Sequence, residues 1–307
     1  MTIEAKIIAD SISPDGIRLT TFQLRYPRFI HAELMTHRVF SRNASSSRAI
    51  PVERMIEDLR RDPAMPIYWG SNKPGMQAGD EIEGGSLTSP KSVCQFSWLN
   101  AMEVMIDHAR VMIGHGLHKQ IANRILEPWA HINVVVTATD WNNFYALRRH
   151  EDAQPEIKVL ADAMWEEMRL TTPHELQPGE WHLPYVTKED WSTSHYLAKK
   201  NRITRDEPMC DELVKDLKKV SVARCARVSY LTHDGRQTTV EEDLQLYDRL
   251  VGSMPLHASP AEHQATPDII YKVRPDGSKV WNNPRLHGNL NGWIQYRKTL
   301  PGEFTPG

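Results

Sequence analysis

The sequence predicts an α+β protein, a mixed sheet with flanking helices. Three observations carry that expectation. Short β-branched runs occur at KIIADSI, IRLTTFQLRY and 132–137. Apolar residues recur at helical spacing over about 90–113, 155–170 and 240–251. The regular strand–helix alternation of a doubly wound sheet is missing.

Taken in order, the two N-terminal runs flank Ser13-Pro14-Asp15-Gly16, a turn signal that makes them a hairpin. Pro27 stands where a helix can begin, and Ile30, Leu34 and Phe40 give the apolar stripe that follows. Residues 62–90 are rich in Pro, Gly, Asn and Ser without a sustained period, which predicts a long loop of the kind often used for lids or binding. Ser89-Pro90 opens a helix whose stripe is Trp98, Met102, Met105, Ala109 and Met112, closed by Gly114 and Gly116. A helix over 118–127 stopped by Pro128, a strand at 132–137 and a helix over 141–149 capped by Asp140 follow. Asp152 is the expected cap of the helix from Pro155 to about Leu170, with Ile157, Leu160, Ala161, Met164 and Met168 inward. Beyond it come an irregular stretch at 171–208, a helix over 209–224, a short strand at RVSY, a helix over 240–251 and a tail poor in apolar period.

With 307 residues, 40% hydrophobic and 25% charged, the chain can bury a substantial core. A net charge of -2 provides no basic field for nucleic acid, although arginines gather at 38–48 and 148–149. No apolar run is long enough for a membrane span, and the N-terminus lacks a signal-peptide pattern. Three cysteines without a CxxC pair fit free thiols in a reducing cytoplasm.

The densest polar stretch is Thr36-His37-Arg38-Val39-Phe40-Ser41-Arg42-Asn43-Ala44-Ser45-Ser46-Ser47-Arg48. Hydroxyls, backbone N–H groups and guanidinium groups suit a phosphate or another planar anion, and the same composition also suits a polar surface loop. In Asn143-Phe144-Tyr145-Ala146-Leu147-Arg148, Asn143 and Leu147 share a helix face with Arg148 at its edge. An amide and a guanidinium so placed can grip a heterocycle; a capped helix with an exposed arginine is the plainer reading. His257-Ala258-Ser259-Pro260-Ala261-Glu262-His263 lacks the HExxH spacing and is broken by Pro260, so a turn is expected there and no metal. Neither GxGxxG, GxxxxGK[ST] nor GxSxG is present.

Together these segments resemble the flavin-dependent thymidylate synthases. That family's signature is RHR, two residues, S, one residue, NE, one residue, S, one residue, R. His37, Arg38, Ser41, Asn43, Ser46 and Arg48 match it in register. Asn143, Leu147, Arg148, Ala153, Gln154, Glu156 and Ile157 match a second family segment, and ARVSY and HASPAEH match two more. In the common form of the family these last two precede the signature; here they follow it, at 226–230 and 257–263. The order resembles a circular permutation similar to longer bacteriophage versions, which is physically easy when termini lie together at the surface.

The resemblance implies the fold of that family and FAD-dependent reductive methylation of dUMP to dTMP, with methylenetetrahydrofolate and NADPH as co-substrates, in a homotetramer. It implies His37, Arg38, Asn143, Leu147, Ser229, His257 and Ser259 as flavin contacts. Glu33, Ser45, Ser46, Ser47 and Arg48 fall on the nucleotide side. Arg148 matches the arginine that polarises the pyrimidine and favours ionisation at N3. One catalytic domain over 1–307 is implied: the signature and nucleotide-binding part at 1–170, an irregular insertion at 171–220 and the permuted FAD segment with a C-terminal extension at 221–307. Thr36, Ala44, Glu33 and Asn123 depart from the family's residues on the nucleotide side, Arg124 being a substitute for the last. Those departures keep two alternatives open: another C5 modification of a pyrimidine nucleotide, such as hydroxymethylation, and a non-catalytic flavin- or nucleotide-binding module.

Overall fold

A computed structural model describes residues 2–192, 211–228, 238–252 and 256–303. Its centre is a five-stranded sheet in the order β3-β4-β2-β1-β5, made of β1 (Glu4–Ile12), β2 (Arg18–Pro27), β3 (Ser41–Ala44), β4 (His131–Ala138) and β5 (His174–Glu175). All neighbouring strands run antiparallel except β1 and β5. The β1–β2 hairpin closes where Gly16 N–H donates to the Ser13 carbonyl at 2.9 Å. Gly16 sits at φ +77°, a left-handed conformation that a side chain rarely adopts.

Side chains alternate across a strand, so β2 and β4 serve two faces. Phe22, Leu24 and Tyr26, with Ile132, Val134, Val136 and Ala138, pack on one side. There they meet α5 (Asn142–Arg148), α6 (Pro155–Leu170) and the Ile30, Leu34 and Phe40 stripe. On the other side, Val135 contacts Cys225 and Val228, and Leu19 contacts Leu176, Ala265, Leu290 and Trp293. That second face is covered by α7 (Asp211–Arg227) and by the chain beyond residue 256.

A buried polar chain crosses this second face. Thr21 and Thr137 stand opposite each other, hydroxyl to hydroxyl at 2.7 Å. His182 Nε2 meets Thr21 at 2.8 Å and its Nδ1 meets Ser11 at 2.8 Å. His263 Nδ1 meets Thr137 at 2.8 Å. Burial drives the His182 pKa down to about 3; burial, then His182, does the same for His263.

A second core forms where α2 (Val52–Arg61) and α3 (Pro90–Gly114) pack with α4 (Lys119–Ala122) and the 3-10 segment Asn123–Trp129. Met102, Ile106 and Ala109 are the buried residues of α3, while Trp98, Met105 and Met112 are half-buried. The C-terminal helices add a third, joining Val222 and Ala223 to Leu246 and Tyr247 of α8 (Val240–Leu250). Beside it the buried Asp243 carboxylate accepts from Arg224 at 2.7 Å and Arg227 at 2.9 Å. No described helix is long and apolar enough to cross a membrane.

Three local expectations need correcting. Pro128 does not stop the helix after 118: α4 tightens into the 3-10 turn Asn123–Trp129, which contains Pro128. Asp152 does not cap α6, because Gln154 accepts the Ile157 N–H at 3.1 Å. Arg227, expected in a strand, ends α7, and Ser229 and Tyr230 lie outside the described residues.

The buried histidines set a pH dependence. Both are neutral in the fold, whereas an unfolded histidine takes up a proton near pH 6.5. The unfolded chain therefore binds more protons between about pH 6.5 and 3, and stability falls as pH falls through that window. Each histidine should contribute a loss of about 1.4 kcal/mol per pH unit. Urea unfolding at pH 7.5, 6 and 5 should show this decline, with a shallower slope in His182→Gln; an unchanged slope would contradict the assignment.

Candidate active site

The edge strand β3 carries the polar stretch along the sheet, and α5 brings Arg148 to it. Arg148 Nε donates to His37 Nε2 at 3.0 Å, and Nη2 donates to Thr36 Oγ1 at 3.2 Å. Thr36 gives its own proton to the Glu33 carbonyl at 2.7 Å, which leaves the hydroxyl oxygen to accept from Arg148. A guanidinium has only protons to offer, so His37 Nε2 must be unprotonated and the neutral ring carries its proton on Nδ1. Burial, then Arg148 and Arg42, hold the His37 pKa below its ordinary value. The ring is wedged edge-on to Phe144 at 5.0 Å and stacked on Phe40 at 5.7 Å. His37 is therefore a buried support for Arg148 in this chain.

Arg148 lines a groove of about 1310 Å³ together with Glu33, Leu147 and Glu156. Tyr68 and Met76 of the long loop 62–90 line the same groove and form its loop wall. Asp152 accepts from Gln77 Nε2 at 2.7 Å, so the residue expected to cap α6 anchors that wall instead. Glu33 Oε2 is buried without a hydrogen-bond partner among the described residues.

Ser45, Ser46 and Ser47 border a different cavity of about 310 Å³, beside Arg25, Arg28 and His131. Ser45 Oγ accepts the Asn133 N–H at 3.1 Å, and Ser46 Oγ accepts from Arg48 N at 3.3 Å. Both hydroxyl protons remain available, whereas Ser47 gives its proton to Glu127 at 2.5 Å. Arg25 and Arg28 pair with Asp62 and Glu127, so this cavity carries both signs of charge. Asn123, one of the positions expected to depart from the family's residues, is buried and donates to the carbonyls of Ser47 at 2.7 Å and Ile50 at 2.9 Å. The exposed Arg124 pairs with Glu127.

His257 and Ser259 border a third cavity, about 280 Å³, with Arg42, Asn43 and Ala226. Asn43 is tied to the Cys225 carbonyl at 3.4 Å. Asn289 binds the Val39 carbonyl at 2.8 Å and Gln295 binds Ser41 at 3.3 Å, which docks the C-terminal segment on the stretch. Arg38, Asn143 and Leu147 are exposed near Arg148, with uncovered apolar surface on Met35 and Val39. Ser229 lies outside the described residues. Exposed guanidinium and amide donors beside bare apolar side chains, with an imidazole and a hydroxyl at the third cavity, form a donor set that fits a planar carbonyl-rich ring bearing phosphates. No group of three His, Cys, Asp or Glu able to hold a metal occurs among the described residues.

The folded arrangement thus distributes the expected residues among separate cavities around one stretch. Sequence reasoning missed the Thr36 and His37 supports of Arg148 and the loop wall of its groove. The first follow from contacts 111 and 112 residues apart, which no local pattern signals. The loop has no period to read.

Imidazole nitrogen NMR tests the Arg148 contact. His37 should be neutral at pH 6.5 with its proton on Nδ1, and Arg148→Ala should raise its pKa by removing an adjacent positive charge. A His37 that is protonated at pH 6.5, or indifferent to the substitution, would contradict the geometry.

Comparison with known proteins adds the lineage. The family model described as thymidylate synthase complementing protein matches residues 18–174. No curated protein sequence matches. Among solved structures, the UMP/dUMP methylase PolB from Streptomyces cacaoi bound with 5-Br UMP is similar at 20% identity and a TM-score of 0.42, over 54% of this chain and 88% of that one. The same methylase bound with 5-Br dUMP gives 18% identity and a TM-score of 0.43, over 55% and 90%. The matched span covers half of the chain, from β2 through α6 to β5, and with it the whole Arg148 arrangement: this protein belongs to the thymidylate synthase complementing protein family.

Proposed function

We infer that the protein modifies C5 of a pyrimidine nucleotide, and that the reaction is the FAD-dependent reductive methylation of dUMP to dTMP with methylenetetrahydrofolate and NADPH. The observation that carries this reading is Arg148, fixed through Nε and Nη2 so that Nη1 remains for a ligand. A guanidinium stays charged and offers rigid donors to a pyrimidine carbonyl. It favours loss of the N3 proton, and the resulting negative charge raises electron density at C5, the atom to be alkylated. Positioned donors that meet developing charge are a large catalytic term.

By family membership and donor chemistry, Arg38, Asn143 and Leu147, with Ser229, His257 and Ser259, would hold the flavin. When bound it supplies the redox chemistry, and the protein supplies orientation. Among the described residues a thiol route has no support: Cys225 is buried, its pKa is pushed up by that burial, and it contacts Gln264. Cys94 is exposed on α3, away from the Arg148 groove.

Ser45, Ser46 and Arg48 are the proposed phosphate holders, and the two serines open on a cavity other than the Arg148 groove. The resemblance implies sites at the junction of several subunits, which would account for the separation. Serines from one copy and Arg148 from another would complete each site in a homotetramer. We take the whole chain as one catalytic unit of the permuted, bacteriophage-type form, acting in the cytoplasm.

Incubating the protein with dUMP, methylenetetrahydrofolate, FAD and NADPH should yield dTMP by mass spectrometry. Arg148→Ala should lower kcat/KM by about 100-fold or more. Thr36→Val keeps the shape, removes the acceptor for Nη2 and should cost about tenfold. A hydroxymethylated product would replace methylation with the other C5 chemistry. Absence of any modified pyrimidine, or full activity in Arg148→Ala, would overturn the reading.

A further inference from the structure

Arg42 falls between Ser41 and Asn43, at a place the signature leaves open. Its half-buried side chain has two working sides. On one, Nη1 donates to the Met35 carbonyl at 3.0 Å and to the His37 carbonyl at 3.2 Å. Those carbonyls flank Thr36, so a single guanidinium nitrogen ties the turn that presents Thr36 and His37 to Arg148. The other side is the edge formed by Nε and Nη2, which makes no hydrogen bond among the described residues.

Arg18, Arg60 and Arg110 show what such an edge grips. Each uses Nε and Nη2 together on the two oxygens of one carboxylate, that of Asp10, Glu103 and Glu53 respectively. Arg42 has no such carboxylate among the described residues. Glu262, whose charge acts on it, is bound by Arg297. Burial lowers the Arg42 pKa against the pull of Glu262 and Tyr26. A half-buried guanidinium with its bidentate edge unfilled calls for an oxyanion from outside. Arg42 borders the third cavity, whose other polar lining is Asn43, His257 and Ser259. At about 280 Å³ this cavity lies below the usual range for a drug-sized ligand and suits phosphate groups better than a fused ring system.

We propose that Arg42 is a positioning residue that joins two sites: its Nε–Nη2 edge takes the diphosphate of the flavin dinucleotide, and its Nη1 carries that anchoring to the turn that holds Arg148. An oxyanion on the edge fixes the guanidinium, which restricts the Met35 and His37 carbonyls and so sets both acceptors of Arg148. A flavin without the diphosphate leaves the guanidinium held by the two carbonyl bonds alone. The inference rests on the flavin reading of the third cavity. It adds a residue that favours the dinucleotide over the bare flavin and links it to the pyrimidine side.

The test is a fluorescence titration of the full chain with FAD and with riboflavin, which has the same ring and no phosphate. Arg42→Gln should weaken FAD by about tenfold or more and leave riboflavin within about threefold. Arg42→Lys keeps the charge without the fork and should stay about threefold or more below the wild type for FAD. ADP, which carries the diphosphate without the flavin, should shift the His37 imidazole nitrogen resonances in the wild type and leave them in place in Arg42→Gln. Equal weakening of FAD and riboflavin would reduce Arg42 to a part of the fold and overturn the inference. Wild-type FAD affinity in either variant, or a His37 signal indifferent to ADP, would overturn it as well. Unchanged FAD binding in an Arg42→Gln protein that forms dTMP would remove only the role of Arg42, whereas a wild type that binds neither flavin would remove the flavin reading with it.

Discussion

The hydroxyl pair Thr21–Thr137, near one end of the β2–β4 ladder, is the point on which the rest of the structure depends. Three distant parts of the chain meet there: the hairpin, His182 of the irregular stretch and His263 of the C-terminal segment. On this sheet face these groups pair with one another, leaving His263 Nε2 without a partner among the described residues, and a mispaired register would leave more buried polar atoms unpaired. This explains how segments far apart in sequence come together on one sheet face. The sheet face fixes where each segment docks, and chain order matters only through connections that run elsewhere.

From that frame the site follows. β3 pairs with β4 and so carries the signature along the sheet edge. The C-terminal segment docks through Asn289 and Gln295 and sets His257 and Ser259 beside Asn43. α5 lies on the opposite face and delivers Arg148 to Thr36 and His37. Thr36, which stands in place of a family arginine, becomes intelligible here. Its hydroxyl accepts from Arg148 without adding a second positive charge beside it. Asn123, another departure, has become structural by holding the turn at Ser47 and Ile50.

Much of the fold was legible in the residues. The β-branched runs, the Ser13–Gly16 turn, the Ser89-Pro90 start and the inward stripe of α6 each rest on local sterics or periodicity, and each has its counterpart in the structure. What was not legible depends on tertiary context. Pro128 is absorbed by a 3-10 turn because Trp129 packs into the second core. Asp152 leaves its capping position because Gln77, 75 residues away, claims it. The signature residues could be named in sequence, but their division among cavities follows from which sheet face each segment reaches. The loop wall had no periodic signal, since its closure relies on close approach at Gly70 and on two long-range ties, Ile67 to Glu156 and Gln77 to Asp152.

The central claim is that Arg148, held by its neighbours, draws charge from a bound pyrimidine. The fluorine resonance of 5-fluoro-dUMP, titrated with pH when free and when bound, measures this directly. The account predicts that N3 of the bound nucleotide ionises at a lower pH than when free, and that Arg148→Ala abolishes the difference. A bound nucleotide that ionises at the same pH as the free one, or one that does not bind, would contradict it.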